Sequence, residues 1–438
     1  MKLAQLIDHI DRLDSYKRYG KVKKVVGLMI ESRGPECSIG DVCYVHVGKN
    51  EKTLAEVVGF KEENILLMPF TKVNQIAPGC VVEATGSPLK IKSGISLIGK
   101  VLDAFGHPMD GSNLPKGLTT ILSENEPPNP LTRPPITQKI EVGVKAIDGF
   151  LTIGKGQRVG IFAGSGVGKS TLLGMIARSS GADINVIALI GERGREVREF
   201  IERDLGEEGL KRTIIVAATS DQPALMRIKA AYSATAIAEY FRDKGYNVMF
   251  MMDSVTRVAI AQREIGLAVG EPPTTKGYTP SVFAMLPRLL ERTGNNEKGS
   301  ITAIYTVLVD GDDMNEPIAD TVRGILDGHI VLDRELANRG HFPAINILKS
   351  VSRLMNHIVE PAHLEAANKL KALYSTYTES EDLIKIGAYK RGSSKEMDQA
   401  MDYYPKINGF LQQHMNEKIT FEESVQQLIS LLEEGDKT

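Results

Sequence analysis

Residues 158–171 read RVGIFAGSGVGKST and run on into LLGMIARS. The apolar run up to Ala163 has the composition of a buried strand, and the residues after Thr171 have the spacing of a helix. A glycine-rich loop between strand and helix points successive backbone N–H groups into one concavity, where they can hold phosphate oxygens. The helix N-terminus adds partial positive charge. Lys169 would reach the β- and γ-phosphates of a nucleoside triphosphate, and Ser170 would offer its hydroxyl to Mg²⁺. The expected triphosphate-binding residues are Ala163, Gly164, Ser165, Gly166, Val167, Gly168, Lys169, Ser170 and Thr171. Ala163 stands where the G-x-x-x-x-G-K-[ST] pattern opens on glycine, and its methyl removes none of the phosphate-facing amides.

Outward from this loop the pattern is strand, turn, helix from 140 to 354. Apolar runs at Ile184–Ile190, Thr213–Ala217, Val248–Met252 and Ile301–Val307 alternate with helical segments, the signature of a mainly parallel sheet covered by helices. The run ending at Met252 is followed by Asp253, the expected place for a carboxylate that organises Mg²⁺. The run ending at Ile190 leads into Gly191-Glu192-Arg193; a carboxylate past a strand adjacent to the P-loop strand could orient water beside a γ-phosphate. A charged surface turn is the alternative for Glu192. The following REVREFIERD reads mostly as a solvated amphipathic helix.

Residues 21–122 carry short β-branched runs punctuated by Gly and Pro, which suggests a small β-barrel or sandwich. Prolines 127, 128, 130, 134 and 135 stiffen a linker placed at 123–139. Helical patterns dominate 355–438, with Thr420 a candidate N-cap. In segment 1–20, Leu3, Leu6, Ile7, Ile10 and Leu13 form one apolar stripe of a helix that packs on its own domain, on a partner or on a membrane surface.

The chain has 438 residues, 42% hydrophobic and 25% charged, with a formal net charge of −2. That balance argues against a protein living on nucleic acid, which usually shows a basic excess. Cys37, Cys43 and Cys80 suggest neither a zinc site nor a disulfide framework. No window approaches the ~20 apolar residues of a membrane span, so a cytoplasmic protein is expected.

The stretch PAINILKSVS at 343–352 resembles the signature of the rotary ATP synthase catalytic and non-catalytic subunits. GERGREV at 191–197, MMDSVTR at 251–257, EPPTTKGYTPSVFAMLPRLLERTG at 271–294 and DDMNEPIADTVRGILDGHIVLDR at 312–334 are similar to one branch, the flagellar protein-export ATPases and their injectisome relatives. ATSDQPALMRIKAAY at 218–232 tilts the resemblance toward the flagellar branch. It implies an α/β P-loop NTPase core of RecA-like fold, with an N-terminal β-barrel and a helical C-terminal domain. It implies that Glu192 is the catalytic carboxylate, a place held by Gln in non-catalytic subunits. Arg193 and Arg257 would steady phosphates, Arg353 would be an arginine finger presented to a neighbouring subunit, and Phe342 would stack on adenine.

The same resemblance implies a Mg-ATP-hydrolysing homohexamer that energises flagellar protein export through a type III secretion apparatus. The acidic stretch 310–313 would meet a coiled-coil stalk, the N-terminal helix a stator-like regulatory partner, and the C-terminal helices an export gate and chaperone-bound cargo. Association with the inner face of the cell membrane would then be peripheral, through partners. An injectisome secretion ATPase, a hexameric RNA translocase and a non-catalytic nucleotide-binding ring subunit are the competing readings.

Overall fold

The computed structural model describes residues 16–433 apart from 49–50, 72–74, 310 and 312. The expected N-terminal helix, and Asp310 and Asp312 of the acidic stretch, lie outside the described residues.

Six strands form a closed antiparallel barrel in the order β1-β2-β5-β4-β3-β6. They are β1 (Tyr19–Val26), β2 (Met29–Arg33), β3 (Asp41–His46), β4 (Lys52–Lys61), β5 (Asn64–Pro69) and β6 (Val81–Pro88). Alternation places Val22, Ile30, Val45, Val57, Leu67 and Val82 inside, each at most 3% exposed. Closure leaves no free sheet edge.

The barrel ends at Pro88, so the stretch up to 122 expected with it behaves differently. Strands β7 (Lys90–Ser93) and β9 (Thr119–Leu122) form a hairpin-like pair, while β8 (Val101–Leu102) joins the central sheet beside the strand Thr213–Ala218. Ile91, Leu97, Leu102 and Ala104 are buried in one cluster with Phe162, Val186 and Phe241. Burial of apolar surface, which composition alone does not apportion, attaches this stretch to the nucleotide-binding body.

A two-stranded pair, β10 (Lys139–Ile140) with β11 (Ile153–Gly154), precedes the nine-stranded sheet. Its further strands are β12 (Arg158–Ala163), β13 (Ile184–Ile190), β14 (Thr213–Ala218), β15 (Asn247–Asp253), β16 (Gly294–Asn295), β17 (Ser300–Leu308), β18 (Gly328–Leu332) and β19 (Val351–Ser352). The order is β19-β18-β12-β17-β15-β13-β14-β8, with β16 antiparallel on β17. Strands β12 to β15, β17 and β18 run parallel, and their residues are almost all buried, as a sheet covered on both faces requires.

The barrel and the linker are fastened to this body by buried charge. Lys229, on the helix Ala224–Asp243, is 2% exposed; its ammonium lies 2.6 Å from Glu56 Oε2 of β4 and also pairs with Glu124 of the linker. Arg292 donates to both oxygens of Glu239, at 2.9 and 2.6 Å, and to the Ser123 carbonyl at 3.1 Å.

The C-terminal helices are Pro361–Lys385, Lys395–Leu411 and Phe421–Glu433. Thr420 and Glu423 form a reciprocal capping box: the Glu423 N–H donates to Thr420 Oγ1 at 3.2 Å, and the Thr420 N–H donates to Glu423 Oε2 at 2.9 Å. Phe410 meets Phe150 edge-to-face at 5.8 Å and so seats this bundle on the nucleotide-binding body.

Candidate functional site

Gly168 caps the helix Lys169–Ser179 at φ 90°, ψ 18°, a left-handed conformation open to glycine, and Gly166 also has positive φ. The turn they make separates β12 from the helix and leaves Ser165 and Gly166 exposed, with the first helical N–H groups beside them. A cavity of about 460 Å³ opens over this turn, and Lys169, Ser170, Thr171, Glu192 and Arg257 contribute to its lining. Leu308, the last residue of β17, and Val309 after it line one side, and the Val309 N–H donates to the Ala163 carbonyl at 3.1 Å.

Three side chains from three strand ends meet there. Lys169 Nζ donates to Asp253 Oδ1 at 2.5 Å and lies 3.7 Å from Glu192 Oε1. Thr306 Oγ1 donates to the same Asp253 oxygen at 2.7 Å, which fixes that carboxylate from the neighbouring strand. Burial opposes the charge on Lys169, but the two carboxylates outweigh it and hold the ammonium above its usual range. Glu192 is pushed up to about 7, first by burial and then by the like charge of Asp253. Its Oε1 and the Nε of Arg257 are buried without a hydrogen-bond partner among the described residues. Orphaned polar atoms facing a cavity are what a site for a polar ligand presents.

Glu192 does not stand beside the P-loop strand, contrary to the sequence expectation. β17 and β15 separate β13 from β12, about 14 Å at the usual strand spacing. The carboxylate reaches Lys169 because both lie past the C-terminal edge of the sheet, Glu192 in a turn and Lys169 at the start of its helix, where ligands of open α/β sheets bind. Gly191 permits this. Its φ is +72°, and a Cβ there would fall 2.9 Å from Arg257 Cβ. Arg257 therefore packs directly over the turn, with its N–H donating to Ser254 Oγ at 3.3 Å.

The helix expected after Glu192 also departs from regularity. An α-helical turn at Gly194–Glu199 widens into a π-helical one at Phe200–Leu205, which buries Phe200 and Leu205 and carries Asp204 inward to within 3.4 Å of Thr171 Oγ1. Arg193 borders the cavity, but its side chain is 77% exposed and pairs with Glu196 at 3.4 Å.

Phe342 lies at a second cavity of about 490 Å³, its ring 3.6 Å from where a Cβ on Gly168 would sit. The wall facing it comes from Gln412, Gln413, His414 and Met415, with Leu172 and Met175 as an apolar floor. The family resemblance implies a wall from the C-terminal domain, but sequence reasoning named none of these residues. Polar residues in a connection between helices carry no signal until the fold returns them to the P-loop.

Arg353 is not brought to its own chain's cavity. It is exposed, its N–H donates to the Asp327 carbonyl at 3.1 Å, and its guanidinium bonds the Arg323 carbonyl at 3.4 Å. Asp327 also bonds Arg158, so Arg353 stands at the opposite end of β12 from the P-loop, roughly 16 Å away along the strand.

The ATP synthase alpha/beta family nucleotide-binding domain matches residues 143–352, the β-barrel domain of the same family matches 22–86, and the T3SS EscN ATPase C-terminal domain matches 359–430. The chain is 70% identical over 433 residues to a flagellum-specific ATP synthase of Bacillus subtilis, which covers 98% of this chain and 99% of that one. Identity to a type 3 secretion system ATPase of Xanthomonas euvesicatoria is 49% over 422 residues, 96% of this chain and 95% of the other. The assembled ATPase EscN of the enteropathogenic E. coli type III secretion system superposes with a TM-score of 0.89 at 48% identity, over 94% of this chain and all of that one. EscN in complex with its central stalk EscO gives a TM-score of 0.88 at the same identity, over the same shares of the two chains. Matched along nearly its whole length, and more similar to a flagellar relative than to the secretion relatives just named, the chain belongs to the family of flagellum-specific ATP synthases and type III secretion ATPases, and it is an ATPase.

Proposed function

We propose that the chain hydrolyses Mg-ATP as a homohexameric ring and that this hydrolysis energises export of flagellar proteins through a type III secretion apparatus. The convergence of Lys169, Asp253 and Glu192 from three separated strand ends carries the proposal. The glycine-turn amides cradle the triphosphate, and the cluster supplies a cation for its terminal phosphates. Lys169 exchanges Asp253 for phosphate oxygen, Arg257 adds charge over the turn, and Arg193 swings from Glu196. Glu192, poised at about 7, orients water and accepts its proton. Phe342 and the 412–415 wall hold adenine.

The donor set also fits a divalent cation. A hydroxyl and a carboxylate are hard oxygen donors of the kind Mg²⁺ prefers, and it is usually held by one or two such groups together with substrate phosphates. Ser170 and Asp253 would hold it, and it would supply positive charge across the β- and γ-phosphates.

The exposure of Arg353, a strand's length from its own P-loop, supports the reading that it serves a neighbouring subunit. EscN assembles and forms a complex with its central stalk EscO, which supports a ring that takes a stalk partner. A stator-like partner at the N-terminal helix, and an export gate with chaperone-bound cargo at the C-terminal helices, complete the reading. Among the described residues no helix is long and apolar enough to cross a membrane. Membrane association, in this reading, runs through those partners.

The decisive experiment measures ATP turnover and oligomer size on the same samples across a dilution series. Specific activity should rise with concentration and level off once rings form. A flat profile across the range in which the oligomer dissociates would exclude a site completed in trans.

A further inference from the structure

We infer that Gln413 is a positioning residue for the base end of the site, its side-chain amide holding the two walls of the cavity beside Phe342 at a fixed separation. The inference rests on reading that cavity as the seat of the nucleotide base. Gln413 lies in the connection between the helices Lys395–Leu411 and Phe421–Glu433 and is 5% exposed. Its amide is committed to backbone groups. Oε1 accepts from the Lys145 N–H at 2.8 Å, while Nε2 donates to the Gly143 carbonyl at 3.0 Å and the Glu417 carbonyl at 3.2 Å. Its own N–H donates to the Phe342 carbonyl at 3.0 Å.

One residue thus joins three segments distant in sequence: the entry to the helix Lys145–Phe150, the aromatic wall and the opposite wall. A second anchor comes from the P-loop helix, where Arg178 donates to the Met415 carbonyl at 2.6 Å. Between these anchors Gln412 and His414 face the cavity. A planar base is gripped only if two faces stand at van der Waals distance, and dispersion falls steeply over fractions of an ångström. Releasing the Gln413 clamp therefore weakens recognition of the base and spares the triphosphate end, which the glycine turn and Lys169 shape independently.

The test compares ATP with inorganic tripolyphosphate, which carries the phosphates and no base, on the full-length protein. For Gln413→Leu we expect KM for ATP to rise about 10-fold, kcat to change less than about 2-fold, and tripolyphosphate affinity to stay within about 2-fold. Equal loss for both ligands, or an unchanged KM for ATP, overturns the inference. Gln413→Glu provides a second reading should the first variant fold poorly. Its new carboxyl keeps the acceptor for Lys145 but faces two carbonyls unless protonated, so its KM penalty relative to wild type should shrink as pH falls. A pH-independent penalty counts against the clamp. Phe342→Ala separates the two levels: if it too leaves the preference for ATP over tripolyphosphate unchanged, the base-site reading itself fails. If it abolishes that preference while Gln413→Leu does not, only the clamp fails.

Discussion

Lys169 Nζ stands 2.5 Å from Asp253 Oδ1, so the P-loop cation and the carboxylate expected to organise Mg²⁺ are partners in one ion pair. Each holds the other in place, and both side chains are at most 12% exposed. Lys169→Ala removes the cation from between two carboxylates. ATP turnover should fall by at least about 100-fold, since a lost electrostatic donor alone costs that order. Stability should fall by about 3–5 kcal/mol, the usual cost of stranding a buried charge. Denaturant titration checks this, and the loss should be smaller near pH 5, where Glu192 takes up a proton, than near pH 8. A loss equal at both pH values would contradict the arrangement.

Glu192→Gln should retain ATP binding and lose turnover by about 100-fold or more, the scale set by general base and positioning effects together. The raised pKa gives two signs to check. In kcat/KM, the acid limb should bend near pH 7, with activity falling as Glu192 is protonated below it. For stability, the folded pKa lies above the ordinary 4.5, so the folded chain holds a proton that the unfolded chain has released. Stability from this group is therefore present below about 4.5 and lost as pH rises to about 7. Above that pH, Glu192→Gln should melt a few degrees higher than wild type without added nucleotide, and below pH 4.5 the difference should vanish.

Arg353→Ala should leave nucleotide affinity nearly intact while cutting turnover by about 10³-fold, as removing a finger in trans does. Mixing it with Glu192→Gln protein is more telling. Each variant retains what the other lacks, so co-assembled rings should regain part of the wild-type rate. Absence of any complementation, with mixed rings verified by co-purification of differently tagged chains, would place Arg353 outside the chemistry.

Lys229→Met should destabilise the chain by about 3–5 kcal/mol, because Glu56 and Glu124 lose their shared cation. Glu56 is pushed up to about 7, chiefly by burial, so the penalty should ease below that pH as the carboxyl becomes neutral. Lys229→Met with Glu56→Gln should recover much of the loss. Thermal unfolding of the two variants beside wild type decides it.

Local sequence was sufficient for everything that depends on neighbours along the chain. The glycine turn needs only positive-φ residues between a strand and a helix, so Gly166, Gly168, Lys169 and Ser170 were legible at once. Apolar runs marked five strands of the central sheet, β12, β13, β14, β15 and β17, and periodic ones the C-terminal helices, and Thr420 was readable as a cap. The family motifs pointed to Glu192, Asp253 and Arg257 one by one.

Tertiary structure alone decided how these pieces meet. Strand order is set by which apolar faces bury together, and it put β17 and β15 between the P-loop strand and the strand before Glu192. The same burial carried β8 out of the barrel region into the sheet. It also brought residues 412–415 against Phe342, about 70 positions earlier in sequence. Long-range contacts of this kind leave no period and no spacing in a single chain, because the groups that satisfy each buried amide or charge lie on another element.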